Sequence, residues 1–267
     1  MADIERDSPA DGICRLTLNR PDALNSLTFG MYAGLIDHLE AVRYDHDVRV
    51  VVLTGAGRGF CAGHDIRGAG QPDWAGADLG KAQLQRQVMD KLGQIPVLMR
   101  ALPQPVICAV NGVTAGAGYP IALAADMTIA ARSAKFVNAF HNAGTGHEMG
   151  FSYLLPRLVG MQRAAELMLT GRSVMAEEAE RIGLILRCVD DEALMDEALR
   201  LAAAVMANSP IGLAVTKSSM WLNVDAPSLS AAIELENRAI FMSQSTADTA
   251  EKRSAFIEKR KPNFTGE

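Results

Sequence analysis

AVNGVTAGAGYPIALAADMTIAA, residues 109 to 131, is the stretch whose reading decides the fold. Its first residues end an apolar run that reads as a buried strand. Gly112, Gly116 and Gly118 then punctuate a turn, YPIALAA opens an apolar helix, and MTIAA (127 to 131) resumes a strand pattern. Strand, glycine turn, helix and strand in close succession point to an α/β core. Working outward, the same kind of short β-branched or apolar run recurs at ICRLTLN (13 to 19), VRVVVLTG (48 to 55), PVICAVNG (105 to 112) and KFVNAF (135 to 140), interleaved with helical patterns. Thr28 is placed to cap a helix whose apolar face is Met31, Leu35, Ile36, Leu39 and Val42, at spacings of three and four. RGAGQPDWAGADLG (67 to 80) has the composition of a mobile loop or lid before a helix over about 81 to 101. Past residue 160 the patterns are almost all helical, with LILRCVD (184 to 190) the exception. The domain organisation expected is a core over 1–200 and a helical region over 201–267, with no linker between them.

The composition limits the function classes. With 267 residues, 49% of them hydrophobic, the chain can bury a large core. Net charge is 26 − 31 = −5, which supplies no bulk field for nucleic acid or an anionic membrane, so any anionic ligand must be held by local groups. Cys14, Cys61, Cys108 and Cys188 are far apart and form no ligand cluster; they read as small apolar residues in a reducing compartment, and no metal site is expected. MADIERDSPA is not a secretory signal and no apolar run approaches a membrane span, so a soluble, cytoplasmic protein is expected.

Two glycine turns can carry chemistry through the backbone. GRGFCAGHDI (57 to 66) follows one strand, and NGVTAGAGYPIALAAD (111 to 126) follows another. Exposed N–H groups at such turns, helped by a helix N-terminus at the second, can stabilise an oxyanion. The same glycines also suit tight turns and close packing alone, and both readings stand at this point. Neither stretch fits GxGxxG or a P-loop, and Ser152 in GFSYL has no GxSxG elbow. A third stretch, GTGHEMGFSYLLP (144 to 156), sets His147 beside Glu148 in a glycine-bracketed loop: either proton chemistry or a solvated turn.

Taken in order, LNRPDALNSL (18 to 27), GRGFCAGHDI, residues 109 to 131, LTGRSVMAEEAERIGLI (169 to 185) and FIEKRKPNF (256 to 264) resemble the crotonase superfamily, the enoyl-CoA hydratase/isomerase family. The resemblance runs from about residue 10 to 264. It implies a core of repeated β-β-α turns, a C-terminal helical region that trimerises, often a dimer of trimers, and an acyl-CoA substrate. No cofactor beyond the CoA of the substrate is implied. The two oxyanion donors would be the backbone N–H groups of His64 and Ala117. Ala23, Leu24, Ala62 and Ile66 would cup the CoA, and Phe256 and Lys259 would reach it from a neighbouring subunit. Asp22 departs from the pattern, since many relatives have lysine there.

The larger departures concern carboxylates. Hydratases of this family use two glutamates to place a water across a conjugated double bond. In this chain Pro120 stands at the first position, tolerated in a first helical turn, and Phe140 at the second. Eight residues past Phe140, Glu148 falls where relatives of the dienoyl-CoA isomerase and 4-chlorobenzoyl-CoA dehalogenase types place a catalytic aspartate. His141, His147 and Tyr153 are the further candidates for the substrate pocket. The expectation is an acyl-CoA enzyme in which Glu148 moves a proton on an enolate held by His64 and Ala117, with double-bond isomerisation favoured. Thioester or carbon–carbon bond hydrolysis, hydration by other residues, and acyl-CoA binding without catalysis are the alternatives. The amphipathic SLSAAIELENRAIFM (228 to 242) and the terminal FIEKRKPNF exceed what one core must cover, which suits a homotrimer or hexamer.

Overall fold

The computed structural model describes residues 2–67, 72–76 and 78–266; of the expected lid over 67 to 80, residues 68–71 and 77 lie outside the described residues. The chain order is β1 (Ile4–Ala10), β2 (Ile13–Leu18), α1 (Phe29–Arg43), β3 (Val50–Gly55), β4 (Gly59–Cys61), α2 (Lys81–Leu92), α3 (Gln94–Ala101), β5 (Val106–Val110), β6 (Val113–Ala115), α4 (Gly118–Ala124), β7 (Met127–Ala131), β8 (Lys135–Val137) and α5 (Ala139–Asn142). It continues through α6 (Phe151–Val159), α7 (Met161–Thr170), β9 (Val174–Met175), α8 (Ala176–Arg181), β10 (Arg187–Val189), α9 (Leu194–Met206), α10 (Pro210–Asn223), α11 (Leu229–Gln244) and α12 (Ala247–Glu258). No single described helix is long and apolar enough to cross a membrane.

The expected β-β-α repeat has a concrete form. Six strands make one sheet in the order β1-β2-β3-β5-β7-β10, and four make a second in the order β4-β6-β8-β9. Each of the consecutive pairs β3/β4, β5/β6 and β7/β8 gives its first strand to the larger sheet and its second to the smaller. The larger sheet is parallel from β2 to β10, in a register that sets Leu16 beside Leu53, Val52 beside Ile107 and Cys108 beside Thr128. Its central strands are unbroken apolar runs because both faces are covered: Val50, Val51, Val52, Val106 and Ile107 are all fully buried. The three cysteines Cys14, Cys61 and Cys108 lie in this core as free thiols.

Helix α1 begins as its sequence suggests, with the Thr28 Oγ1 accepting from the Met31 N–H at 3.2 Å and the predicted apolar face buried. Two expectations are corrected. The strand read over 135 to 140 stops at Val137, where Asn138 turns its amide to the Leu167 and Met168 carbonyls and α5 begins. The single helix read over 81 to 101 is α2 and α3, divided at Gly93. The exception read at 184 to 190 does contain a strand, β10.

Helix α9 crosses residue 200 and packs against β3, β5 and β7. Helix α10 is fixed to the core by a buried ion pair: Lys217 Nζ lies 2.7 Å from Asp126 Oδ2 and also donates to the Met99 and Gln104 carbonyls at 2.8 and 2.9 Å. Asp126 accepts in addition from the Val106 N–H and the Trp221 indole N–H. The Lys217 ammonium, the Asp126 carboxylate and the Trp221 N–H are all hydrogen-bonded, the condition under which a buried pair is tolerated. Helix α11, by contrast, buries none of its residues.

Candidate active site

The site is assembled where the two glycine turns meet. Gly63 has φ +92° and Gly116 φ +50°, and a Cβ added to Gly63 would stand 3.1 Å from the Gly116 Cα and 3.2 Å from the Ala117 nitrogen. The turn after β4 therefore lies against the turn after β6, and the N–H groups of His64 and Ala117 are brought together. A single parallel bridge, Leu27 to His64, fixes the first turn: Leu27 N–H donates to the Gly63 carbonyl at 2.7 Å and Asp65 N–H to the Leu27 carbonyl at 2.9 Å. Neither the His64 nor the Ala117 N–H donates to another described residue. Ala117 directly precedes α4, so its N–H also feels the positive end of that helix.

A third segment completes the wall. Leu24 and Asn25 have φ of 50° and 55°, a left-handed pair held by Asn25, whose side chain is fully buried. Its Nδ2 donates to the Ala56 and Gly59 carbonyls at 2.9 and 2.7 Å, and its Oδ1 accepts from the Arg20 N–H at 2.8 Å. The Ala62 N–H in turn donates to the Leu24 carbonyl at 2.9 Å. This is why Ala23, Leu24, Ala62 and Ile66 all line one cleft of about 1070 Å³, together with His64, Ala117, Phe140 and Glu148.

Glu148 is half-buried on the cleft wall. Burial alone lifts its carboxyl above the usual 4.5, because no cation offsets the loss of water. Of the other carboxylates lining the cleft, Asp22 lies on the Arg20 segment and Asp65, on the turn after β4, pairs with Arg20 at 3.0 Å. The Glu148 loop is closed by the Thr145 N–H donating to the Phe140 carbonyl, and by Met149 and Gly150 at φ 53° and 75°, which turn the chain so that the Phe151 N–H donates to the Glu148 carbonyl at 3.0 Å. The His64 imidazole stacks near Phe29 and Tyr32, with centroids 5.1 and 5.9 Å away; burial lowers its pKa below 6.5 and leaves it a neutral wall.

Of the remaining sequence candidates, only Phe140 lies in the cleft among the described residues. Phe140 is buried and lines the cleft, whereas Pro120 is buried inside α4 and is not a lining residue. His141 is exposed, and His147 packs beneath the Glu148 loop rather than into the cleft. Tyr153 turns away: its hydroxyl donates to Asp225, and Arg157 lies over its ring at 3.5 Å. Phe256, 85% exposed, and Lys259 stand on the C-terminal segment, outside the cleft of their own chain. Residues that sequence reasoning missed include Arg58 and Arg67, exposed cations at the cleft mouth, and Val88, Met89 and Leu92 of α2, an apolar wall. Arg58 lies within the first glycine motif and Arg67 directly after it, which was a readable signal; the α2 wall depends on how a helix docks and was not.

Two backbone N–H groups with no described partner and a half-buried carboxylate in one cleft can serve enolate chemistry on an activated carbonyl compound. The family model Enoyl-CoA hydratase/isomerase matches residues 9–267, and the chain belongs to that family. It is 44% identical over 261 residues to "Probable enoyl-CoA hydratase EchA12" of Mycobacterium tuberculosis (strain ATCC 25618 / H37Rv), covering 97% of this chain and 91% of that protein. It is 42% identical over 258 residues to the 1,2-epoxyphenylacetyl-CoA isomerase of Escherichia coli (strain K12), covering 96% and 95%. Among solved structures, a probable enoyl-CoA hydratase/isomerase from Mycobacterium abscessus superposes with a TM-score of 0.93 at 36% identity over the whole of both chains.

Proposed function

We propose that this enzyme is an acyl-CoA isomerase that moves a double bond through an enolate, with Glu148 as its single acid/base. The thioester oxygen sits between the N–H groups of His64 and Ala117, and Glu148 takes a proton from one carbon and returns it to another. Each donor is worth about 3 kcal/mol in rate. The observation that carries this reading is Glu148 itself: a half-buried carboxylate without a cation, whose raised pKa suits proton abstraction from carbon. Pro120 and Phe140 supply no proton where hydratases of the family keep glutamates, which weighs against ordinary hydration. The relative named an isomerase at 42% identity weighs the same way.

Backbone groups of Ala23, Leu24, Ala62 and Ile66 hold the CoA in this reading, and no cofactor is needed beyond the CoA of the substrate. Phe256 and Lys259 complete the CoA site of a neighbouring subunit in a homotrimer or hexamer in the cytoplasm. The assembly is supported by apolar residues left uncovered on α11 and α12: Leu229 is 77% exposed, Phe241 70%, and Ile257 78%. A panel of 2- and 3-enoyl-CoA esters tests the reading in deuterated water. Double-bond movement with deuterium entering the acyl chain supports it. Net addition of water, release of free CoA, or binding with no turnover selects one of the alternatives instead.

A further inference from the structure

Glu148 lies between two residues that face away from the cleft. Met149 is 6% exposed in the hydrophobic core, and His147 is wedged among side chains from the neighbouring elements. The His147 imidazole stacks on Phe151 of α6, with centroids 5.1 Å apart and 18° between planes. It meets Phe140 and His141 of α5 nearly edge-on, at 5.3 and 5.2 Å. Its Nε2 is 3.2 Å from the Nδ2 of Asn138, a side chain that is 1% exposed. The orientation of that amide is fixed by its bonds to the Leu167 and Met168 carbonyls, at 3.1 and 3.2 Å. Asn138 therefore presents its amino group to the ring, its two hydrogens shared among the two carbonyls and Nε2, and a ring with Nε2 unprotonated is the form that fits this contact, while Asn138 Oδ1 accepts from no described group.

We propose, on the reading of Glu148 given above, that His147 is the positioning residue of this site: its neutral imidazole, locked on Asn138 and Phe151, holds the 143 to 150 loop so that Glu148 faces the oxyanion hole, and protonation of the ring releases the carboxylate. Protonated Nε2 would set an N–H against an amino group, a buried donor with no acceptor. The titratable group facing the ring is His141 on α5; α6 presents Phe151 and the turn before α5 presents Asn138, both uncharged. Burial first, and the proximity of His141 second, lower the pKa of His147 below 6.5, so the neutral wedge is the form present at pH 7. Strain adds to the case for an anchored loop. Met149 holds a left-handed φ that a non-glycine residue keeps only where its surroundings impose it.

Hydrogen exchange tests the anchor without reference to any reaction. In His147→Ala, the amides of Thr145 and Phe151 should exchange at least about tenfold faster while those of β5 and β7 stay protected. On whatever substrate the enoyl-CoA panel identifies, kcat should fall about 100-fold with KM changed by less than about threefold, as expected for a misplaced catalytic group. His147→Phe keeps the stack on Phe151 and should recover most of kcat. It should also alter the acid limb of the kcat–pH profile: steeper than first order in the wild type, where His147 and Glu148 both take up protons, and first order in the variant. Unchanged loop exchange in His147→Ala overturns the proposal whatever the reaction. A loosened loop with undiminished turnover supports the anchor and sinks the assignment of Glu148 instead. Should His147→Ala not fold, the His147→Phe profile decides, and a limb as steep as the wild type's overturns the proposal.

Discussion

Substituting Gly63 by alanine tests whether the two donor turns work as one device. The new Cβ would stand 2.9 Å from the Ala115 carbonyl oxygen, 3.1 Å from the Gly116 Cα and 3.2 Å from the Ala117 nitrogen. All three are backbone atoms of the opposite turn, so no flexible side chain can yield. Carbon does not approach backbone this closely, and relief requires the turns to separate by a few tenths of an ångström. The φ of +92° adds its own penalty, about 1 to 3 kcal/mol for a non-glycine residue. Separation moves the Ala117 N–H away from a position where one oxyanion donor is worth about 3 kcal/mol, or 100- to 1,000-fold in kcat. The expected result is a stability loss of about 1 to 3 kcal/mol by urea titration with an unchanged m value. Turnover should drop at least about 100-fold and CoA affinity change far less. Alanine at position 63 with wild-type stability and turnover would refute the geometry of the hole, because no arrangement of these turns leaves room for that carbon.

Glu148→Gln should lower turnover about 100- to 10,000-fold on a substrate found by the screen, with binding retained. Because its pKa is raised in the folded chain, the native state binds this proton more tightly than the unfolded state between 4.5 and the folded value, so stability falls as pH rises through that window. Glu148→Gln should therefore melt higher than the wild type at pH 7, with the difference closing below pH 4.5; a lower melting temperature at pH 7 would reveal a structural partner. Lys217→Met leaves the buried Asp126 without its cation and two carbonyls without a donor, for a loss of about 3 to 5 kcal/mol in chemical denaturation. Phe256→Ser should weaken CoA binding and assembly, measured by calorimetry and light scattering; it is preferred to a C-terminal truncation, which would also strip the buried Asp248 carboxylate of the Thr265 and Gly266 N–H groups. A monomeric wild type with full CoA affinity would remove the subunit-bridging role of Phe256.

What could be read in the sequence followed from burial on two faces. The central strands announce themselves because VVVL and VICAV are sheltered on both sides, and α1 because Thr28 and one apolar stripe agree. Strand β1 gave no such sign: IERDSPA lies at a sheet edge with most of its residues exposed. Strands β4 and β6 are three residues each, too short for any periodicity, and were absorbed into the glycine turns that follow them. In the cleft, the residues placed by backbone motifs came together, as His64, Ala117, Leu24 and Ala62 do. Side chains read from proximity in sequence fared differently. Tyr153 lies five residues past Glu148, yet the left-handed turn at Met149 and Gly150 launches α6 in a direction that carries the tyrosine to Asp225. The ion pair of Lys217 with Asp126 joins residues far apart in the chain and left no local pattern at all.

These particulars divide the labour of the site. The donors are main-chain groups, so their position depends on the meeting of two turns and hardly on which side chains stand at 64 and 117. A family can keep such a hole while changing everything around it. On the proposed reading the proton carrier is a side chain and can be moved, provided another segment offers a rigid, dry mounting. In this chain the first turn of α4 carries Pro120, sealed in the core, and α5 carries Phe140, which narrows the cleft. Glu148 is carried instead by the loop between α5 and α6, which has no regular secondary structure of its own. Its rigidity is borrowed from residues on either side: a histidine locked to Asn138 and Phe151, and a methionine held at a strained φ in the core. If both proposals hold, transplanting Glu148 alone into a relative that lacks His147 and Met149 should give a carboxylate that binds solvent and turns over little.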